Sequence, residues 1–279
     1  MKHRNSYLLG MIVSLFLLAL TSGIARADIT LTPMRVVFEG RDRSATIELI
    51  NTTNNTNTYR LKWLTMKMGE TGRYSMTPSD PNDPYSFDKM VMFTPRQVTI
   101  EPHGHQTIRL SLRRPADLPN GEYRAHLSMV RLAKQGPDKP DPKANSLTMD
   151  VQVNLGFSVP VIVRSGDDKD LKISLGNPKL GVQENKGRAP TPRLEIDVNR
   201  DAGKFSTYGT LRVFWQPKQG KEKEIGAASN VALYPELQTR RVPIPLKAAP
   251  DSGTLRIVYE GKYESEGKTW AEKTFPIGK

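Results

Sequence analysis

Cysteine is absent from the 279 residues of this chain. Without a thiol the protein forms no disulfide and has no cysteine nucleophile. Iron–sulfur clusters and cysteine-ligated zinc sites are excluded as well, because both need thiolate ligands. The absence removes three kinds of chemistry and leaves noncovalent packing to hold the fold together.

Long hydrophobic runs are also scarce. The longest is the predominantly apolar 13-residue stretch Leu8–Leu20, whereas a helix that crosses a bilayer needs about 20 apolar residues. A basic segment precedes this stretch and Ala25-Arg26-Ala27 follows it, which is the arrangement of a secretory signal peptide. We therefore predict that residues 1–27 are a signal peptide cleaved before Asp28. The mature chain is then expected in the periplasm, without stable membrane insertion.

Sequence motifs of common enzymes are missing too. The chain has no Gly-x-Ser-x-Gly, no Walker loop, no His-Glu-x-x-His and no dinucleotide fingerprint. His103 and His105 offer two metal ligands in a predicted turn, but no third ligand is evident beside them. The sequence therefore predicts a protein that is not an enzyme and that needs no cofactor or metal.

The charge is strongly positive but evenly spread. The formal net charge is +12, and removal of the three basic residues of the signal peptide leaves +9. Acidic residues such as Asp42, Glu48 and Glu101 lie among the basic ones, and no basic run carries interleaved aromatic residues. This pattern argues against a nucleic-acid partner and favours solubility together with attraction to an acidic partner.

What the sequence does contain is a two-residue period. Short apolar–polar alternations recur between turns rich in Gly, Pro and Asn, and we find no amphipathic helix. Residues 29–38 are predicted as one strand interrupted at Pro33, and residues 59–66 as another. A polar break at 165–170 separates two such sets. The prediction is an all-β protein with two immunoglobulin-like sandwiches in tandem, an N-terminal domain at 28–164 and a C-terminal one at 165–279.

One segment alternates for much longer than the others, and we call residues 147–159 the alternating segment. Its odd positions are all apolar: Leu147, Met149, Val151, Val153, Leu155, Phe157 and Val159. In extended form it spans about 41 Å, whereas a sandwich strand is roughly 17–20 Å long. Two interpretations stay open. Either the apolar face packs in its own core, or part of it extends beyond that core and pairs with another protein's sheet.

The first domain resembles the periplasmic pilus-assembly chaperones of the PapD-like family. The resemblance is carried by Thr32–Gly40, by Val98–Gly104, by Gly121–Leu127 and by the alternating segment with the charged, proline-rich connection before it. These match the first strand, a turn, the sixth strand and the last strand of the family's first domain. The resemblance covers about 130 residues, and the C-terminal half agrees only in architecture.

The resemblance implies a function. Such a chaperone lends its last strand to a pilin that lacks one, holds the pilin's C-terminal carboxylate with basic residues, and passes it to an outer-membrane usher. Here the implied subunit-binding residues are Leu147, Met149, Val151, Val153, Leu155 and Phe157. Arg35 matches the first-strand anchor for the carboxylate. The family's second anchor, a lysine, is missing, and Arg124 is a candidate substitute.

Two further expectations accompany this interpretation. An exposed apolar strand predicts self-association of the free protein. The alternative function is a secreted carbohydrate- or surface-binding sandwich, in which the alternating segment is ordinary core and the three tryptophans supply the binding surface.

Overall fold

The computed structural model describes residues 29–78, 83, 85–87, 90–132, 156–185 and 187–278. These residues form strands and a single short 3-10 turn, so the all-β prediction is confirmed. The N-terminal strands are β1 Ile29–Thr32, β2 Val36–Phe38, β3 Ser44–Asn51, β4 Asn57–Leu64, β5 Met66–Met68, β6 Tyr74–Met76, β7 Val91–Thr94, β8 Gln97–Ile100, β9 His105–Leu112, β10 Gly121–Arg131 and β11 Gly156–Ser165.

The C-terminal half adds eight strands and the 3-10 turn η1. They are β12 Lys172–Leu175, β13 Lys179–Asn185, β14 Arg188–Ala202, β15 Thr207–Gln216, β16 Lys223–Leu233, β17 Thr239–Pro245, β18 Gly253–Gly261, η1 Tyr263–Ser265 and β19 Thr269–Ile277.

Two sandwiches result. In the N-terminal one, the sheet β1-β3-β9-β7 faces the sheet β2-β11-β10-β4-β8. In the C-terminal one, β14 with β12, β13 and β17 faces the sheet β16-β15-β18-β19. Each pair of sheets encloses its own hydrophobic core. Met68 and Ile162, which precede the predicted boundary, belong to the second core, so the two halves are packed against each other.

The segment predicted as one strand at 29–38 is two strands in different sheets. β1 pairs with β3, and β2 runs parallel to β11. Residues 33–35 lie between them, and Pro33 has no N–H to continue a ladder. The change of sheet places Arg35 at the edge of the sandwich that faces the C-terminal half.

The prediction of one strand at 59–66 was wrong at the C-terminal end of the strand. β4 stops at Leu64, and Met66 opens the separate hairpin β5–β6. This hairpin leaves the N-terminal sandwich and lies against the C-terminal one, where Met68 is buried.

Candidate functional site

Arg35, the predicted anchor, is buried between the two sandwiches, with a side chain only 1% exposed. Its Nε donates to Glu264 Oε1 at 3.1 Å, and its Nη2 donates to Ser206 Oγ at 2.9 Å. A longer contact of 3.5 Å joins Nη1 to the hydroxyl of Tyr234. All three partners come from the C-terminal half, so the structure places Arg35 in a cleft and already pairs it with a carboxylate.

Aromatic rings and acidic groups keep Arg35 charged in this cleft. Its Cζ lies 5.1 Å from the ring centroid of Tyr208 and 5.9 Å from that of Tyr234. Burial by itself would lower the pKa of Arg35, but Tyr234, Glu264 and Glu122 together raise it above its ordinary value. Burial raises the pKa of the Tyr208 hydroxyl to about 12, so that group stays neutral at physiological pH.

Arg124, the proposed substitute anchor, lies in the same cleft. It projects from β10, and its Nη2 donates to Glu236 Oε1 at 2.5 Å and to the Met66 carbonyl at 3.1 Å. Its Cζ sits 3.4 Å from the ring centroid of Tyr234. Because Tyr234 also contacts Arg35, the structure brings the two predicted cations to one tyrosine.

A second buried ion pair, which no sequence pattern predicted, lies beside Arg35. Arg164 Nε donates to Glu122 Oε2 at 3.0 Å. The backbone N–H and the hydroxyl of Ser206 donate to the same oxygen at 2.9 and 2.8 Å. Burial alone would raise the pKa of Glu122, but Arg164 and Arg35 lower it below its usual value. Glu122 and Arg164 face each other across β10 and β11, a pairing that appears only once the register is known.

The hairpin β5–β6 covers one side of the cleft. The Tyr74 hydroxyl donates to that of Tyr234 at 3.2 Å, and the backbone N–H of Met68 donates to Glu236 Oε1 at 3.3 Å. Beneath the hairpin, the ring of Tyr74 meets His126 edge-to-face at 5.2 Å. The hairpin therefore closes the cleft over Arg124 and His126.

The predicted subunit-binding strand is described only from Gly156 onward, as β11. Leu147, Met149, Val151, Val153 and Leu155 lie outside the described residues. Phe157 is half-buried and packs against the N-terminal core, whereas Val159 is fully buried there. The odd face thus points toward the core at this end of the segment.

One edge of β11 has no partner strand among the described residues at the point where the alternating segment enters it. On one side, β10 pairs with the whole of β11, from Gly156 to Ser165. On the other side β2 pairs only with Val161–Val163. Within the described ranges no strand pairs with the outer edge of 156–160, and Ser158 is exposed there.

The three tryptophans of the alternative interpretation pack against the cores. Trp63 makes edge-to-face contacts with Phe87 and Phe93 at 5.1 and 5.2 Å. Trp215 and Trp270 are partly buried against the second core, and a lysine lies over each ring. All three rings are therefore engaged in packing within the fold.

His103 is one of the two candidate metal ligands of the predicted turn. His103 bonds through Nε2 to Asn54 Oδ1 at 2.9 Å. No group of three or more His, Asp or Glu side chains within the described residues is placed to hold a metal ion. No helix among them is long and apolar enough to cross a membrane.

The chain matches no family model and no curated protein. Solved structures do resemble it. The E. coli chaperone DraB is 15% identical with a TM-score of 0.44, over 89% of this chain and 96% of that one. The CupB2 chaperone of Pseudomonas aeruginosa is 15% identical with a TM-score of 0.44, over 89% and 100%.

A third similar structure is the CsuC–CsuE chaperone–tip adhesion subunit complex of Acinetobacter baumannii. It is 13% identical with a TM-score of 0.43, over 90% of this chain and 99% of that one. Identities and TM-scores this low leave the function to be argued from the chain's own geometry. Many of the solved structures that this two-sandwich chain is similar to are periplasmic chaperones of fimbriae.

Proposed function

We propose that the protein is a periplasmic, non-enzymatic chaperone for fimbrial subunits. It captures an incomplete subunit sandwich by donating the alternating segment as a strand, and it delivers the subunit to an outer-membrane usher. The observation that carries this proposal is the open edge of β11 at 156–160, which lies beside a cleft lined by buried arginines.

The open edge offers backbone groups for strand addition. An unpaired strand edge exposes N–H and C=O groups that another chain's strand can bond. Chaperone–pilin complementation is itself a known example of this binding mode. Pro160 supplies no N–H and closes the edge next to the residues that β2 covers. Strand addition would therefore start at Gly156 and continue toward the N-terminal part of the alternating segment.

The apolar face of the segment supplies the driving force. Side chains two residues apart share a face of a strand, so Leu147 to Leu155 would continue the face of Phe157. Burial of four such side chains yields roughly 6–12 kcal/mol gross, at about 1.5–3 kcal/mol each. Association costs roughly 4–15 kcal/mol. Apolar insertion alone leaves little net affinity, so a second contact is needed.

The cleft arginines can supply that second contact. We infer that a subunit's C-terminal carboxylate binds Arg35, with Arg124 as the second cation. A charge-assisted hydrogen bond contributes about 1.5–3 kcal/mol. It would also fix the register, because a slip of one residue turns every apolar side chain to the wrong face.

The test exploits the two faces of the segment. Val151→Asp places a charge on the apolar face, and Gln152→Asp places it on the polar face one residue away. We expect Val151→Asp to abolish co-purification with the subunit encoded beside this protein, while Gln152→Asp keeps it. Circular dichroism should show both variants folded. Capture by Val151→Asp, or its failure to fold, would assign the segment to the protein's own core and refute the proposal.

A further inference from the structure

The loop between β18 and β19 sends one acidic side chain into the cleft. The loop includes η1, and its backbone lies at the surface, but the side chain of Glu264 is only 14% exposed. This carboxylate contacts Arg35 Nε at 3.1 Å, and Arg164 Nη2 lies 3.6 Å from the same oxygen. Glu264 of a surface loop thus forms an ion pair with Arg35, the cation that the proposed function assigns to the partner's carboxylate.

We propose that Glu264 is an internal competitor that holds Arg35 until a partner's carboxylate displaces it. This inference rests on the proposed function, because it concerns the same carboxylate anchor. Arg35 is almost fully enclosed, and Glu264 is its only ion-pair partner among the described residues. An external carboxylate therefore reaches Arg35 only when the loop moves away.

The ion pairs of the cleft make this exchange selective for Arg35. If Glu264 leaves, Arg164 keeps Glu122 and the carbonyl of Ser206 as partners. Arg35 keeps the hydroxyls of Ser206 and Tyr234 as hydrogen-bond partners and Glu122 as a nearby charge, but it loses its ion pair. Breaking the ion pair of a buried cation is unfavourable. A carboxylate-terminated strand replaces Glu264 like for like, whereas an apolar strand without a terminal carboxylate leaves Arg35 unpaired.

The loop is held mainly by backbone hydrogen bonds within itself. Tyr263 adopts a φ of +55°, in the left-handed region that non-glycine residues rarely occupy. Its ring lies 5.6 Å from that of Tyr208 but stays half exposed. The backbone N–H of Lys262 donates to the Tyr208 carbonyl at 3.1 Å, and four further backbone hydrogen bonds lie within residues 261–268. Release of the Glu264 side chain would break its contacts with Arg35 and Arg164 and leave these backbone hydrogen bonds in place.

The first experiment needs no partner. Phenylglyoxal, which reacts with accessible arginines, is applied to the wild type, to Glu264→Gln and to the matched control Glu266→Gln, which changes a loop carboxylate without an ion pair among the described residues. Modification is followed at Arg35 by mass spectrometry. We expect Glu264→Gln to speed modification of Arg35 about tenfold, as loss of one charge-assisted contact predicts, and Glu266→Gln to match the wild type.

Arg200 serves as the internal control for folding. It is buried and donates to the carbonyls of Leu233 and Phe205, so it should stay protected in every folded variant. If Glu264→Gln also exposes Arg200, the variant has lost its fold, and the shorter Glu264→Asp takes its place. Unchanged reactivity of Arg35 in a folded variant overturns the proposal.

The second experiment separates this inference from the proposed function. The probes are a fluorescent seven-residue peptide of alternating Val and Thr with a free C-terminal carboxylate and the same peptide as its amide. Glu264→Gln should bind the acid about tenfold more tightly than the wild type does, with no change for the amide. Equal gains for both peptides would refute competition at Arg35. If Arg35 becomes reactive but neither peptide binds any variant, the proposal that Glu264 shields Arg35 is supported and the strand-donation function is refuted.

Discussion

His126 gives the sharpest quantitative test of the buried cleft. Its side chain lies under the hairpin β5–β6 and is 2% exposed. Neither ring nitrogen has a hydrogen-bond partner within the described residues. Burial, with smaller contributions from Arg124 and Arg35, lowers the pKa of His126 from 6.5 to about 3. The folded protein therefore holds this imidazole neutral, while the unfolded chain protonates it below pH 6.5.

The sign and size of the effect follow from linkage. Because the folded pKa is lower than the unfolded one, the unfolded state binds the extra proton and stability falls as the pH decreases. The loss begins near pH 6.5 and ends near pH 3. Between pH 7 and pH 5 it amounts to about 2 kcal/mol, at about 1.4 kcal/mol per pH unit below 6.5.

The assay is urea unfolding of the mature protein at pH 7, 6 and 5. His126→Phe keeps a ring under Tyr74 but cannot titrate, so the wild type should lose about 2 kcal/mol more than this variant between pH 7 and pH 5. The control is His105→Phe at an exposed position of β9, which should retain the wild-type pH dependence. Parallel curves for the wild type and His126→Phe would show that His126 is not held neutral.

Two further predictions concern the ion pair and the sheet packing. Glu122→Gln removes the buried carboxylate from Arg164 and should lower the free energy of unfolding by about 3 kcal/mol. Glu222→Gln, which affects a surface pair, should change it by less than about 1 kcal/mol. Gly209→Ala would put its Cβ 1.9 Å from a backbone oxygen of β18 and should destabilise strongly, whereas Gly181→Ala meets nothing within 4 Å and should be tolerated. Urea unfolding of the four variants checks both predictions, and equal losses within either pair would contradict them.

The alternation of apolar residues predicted most of the strands correctly, because it reports directly which face is buried. In β10, Leu127 and Met129 are fully buried in the N-terminal core, while Arg124 and His126 lie on the opposite face. The pattern is local and depends only on the two-residue period of a strand. It therefore needs no knowledge of how the sheets pack.

The same signal fails where strands are exposed. β6 is exposed along its length, and β13 is almost entirely so. Their backbone hydrogen bonds leave no trace in the apolar pattern, and neither strand was predicted. The hairpin that covers the cleft was missed for this reason, although Tyr74 contributes directly to the cleft.

The residues by themselves determined the strand period and the two sandwiches, and the resemblance to the pilus-assembly chaperones pointed to Arg35 and Arg124 as the cations of interest. Only the tertiary structure decided their partners. Arg35 meets Glu264 across 229 positions of the chain, and Glu122 meets Arg164 through the register of two strands. Such contacts depend on how two separately folded cores dock, and no local pattern encodes that geometry.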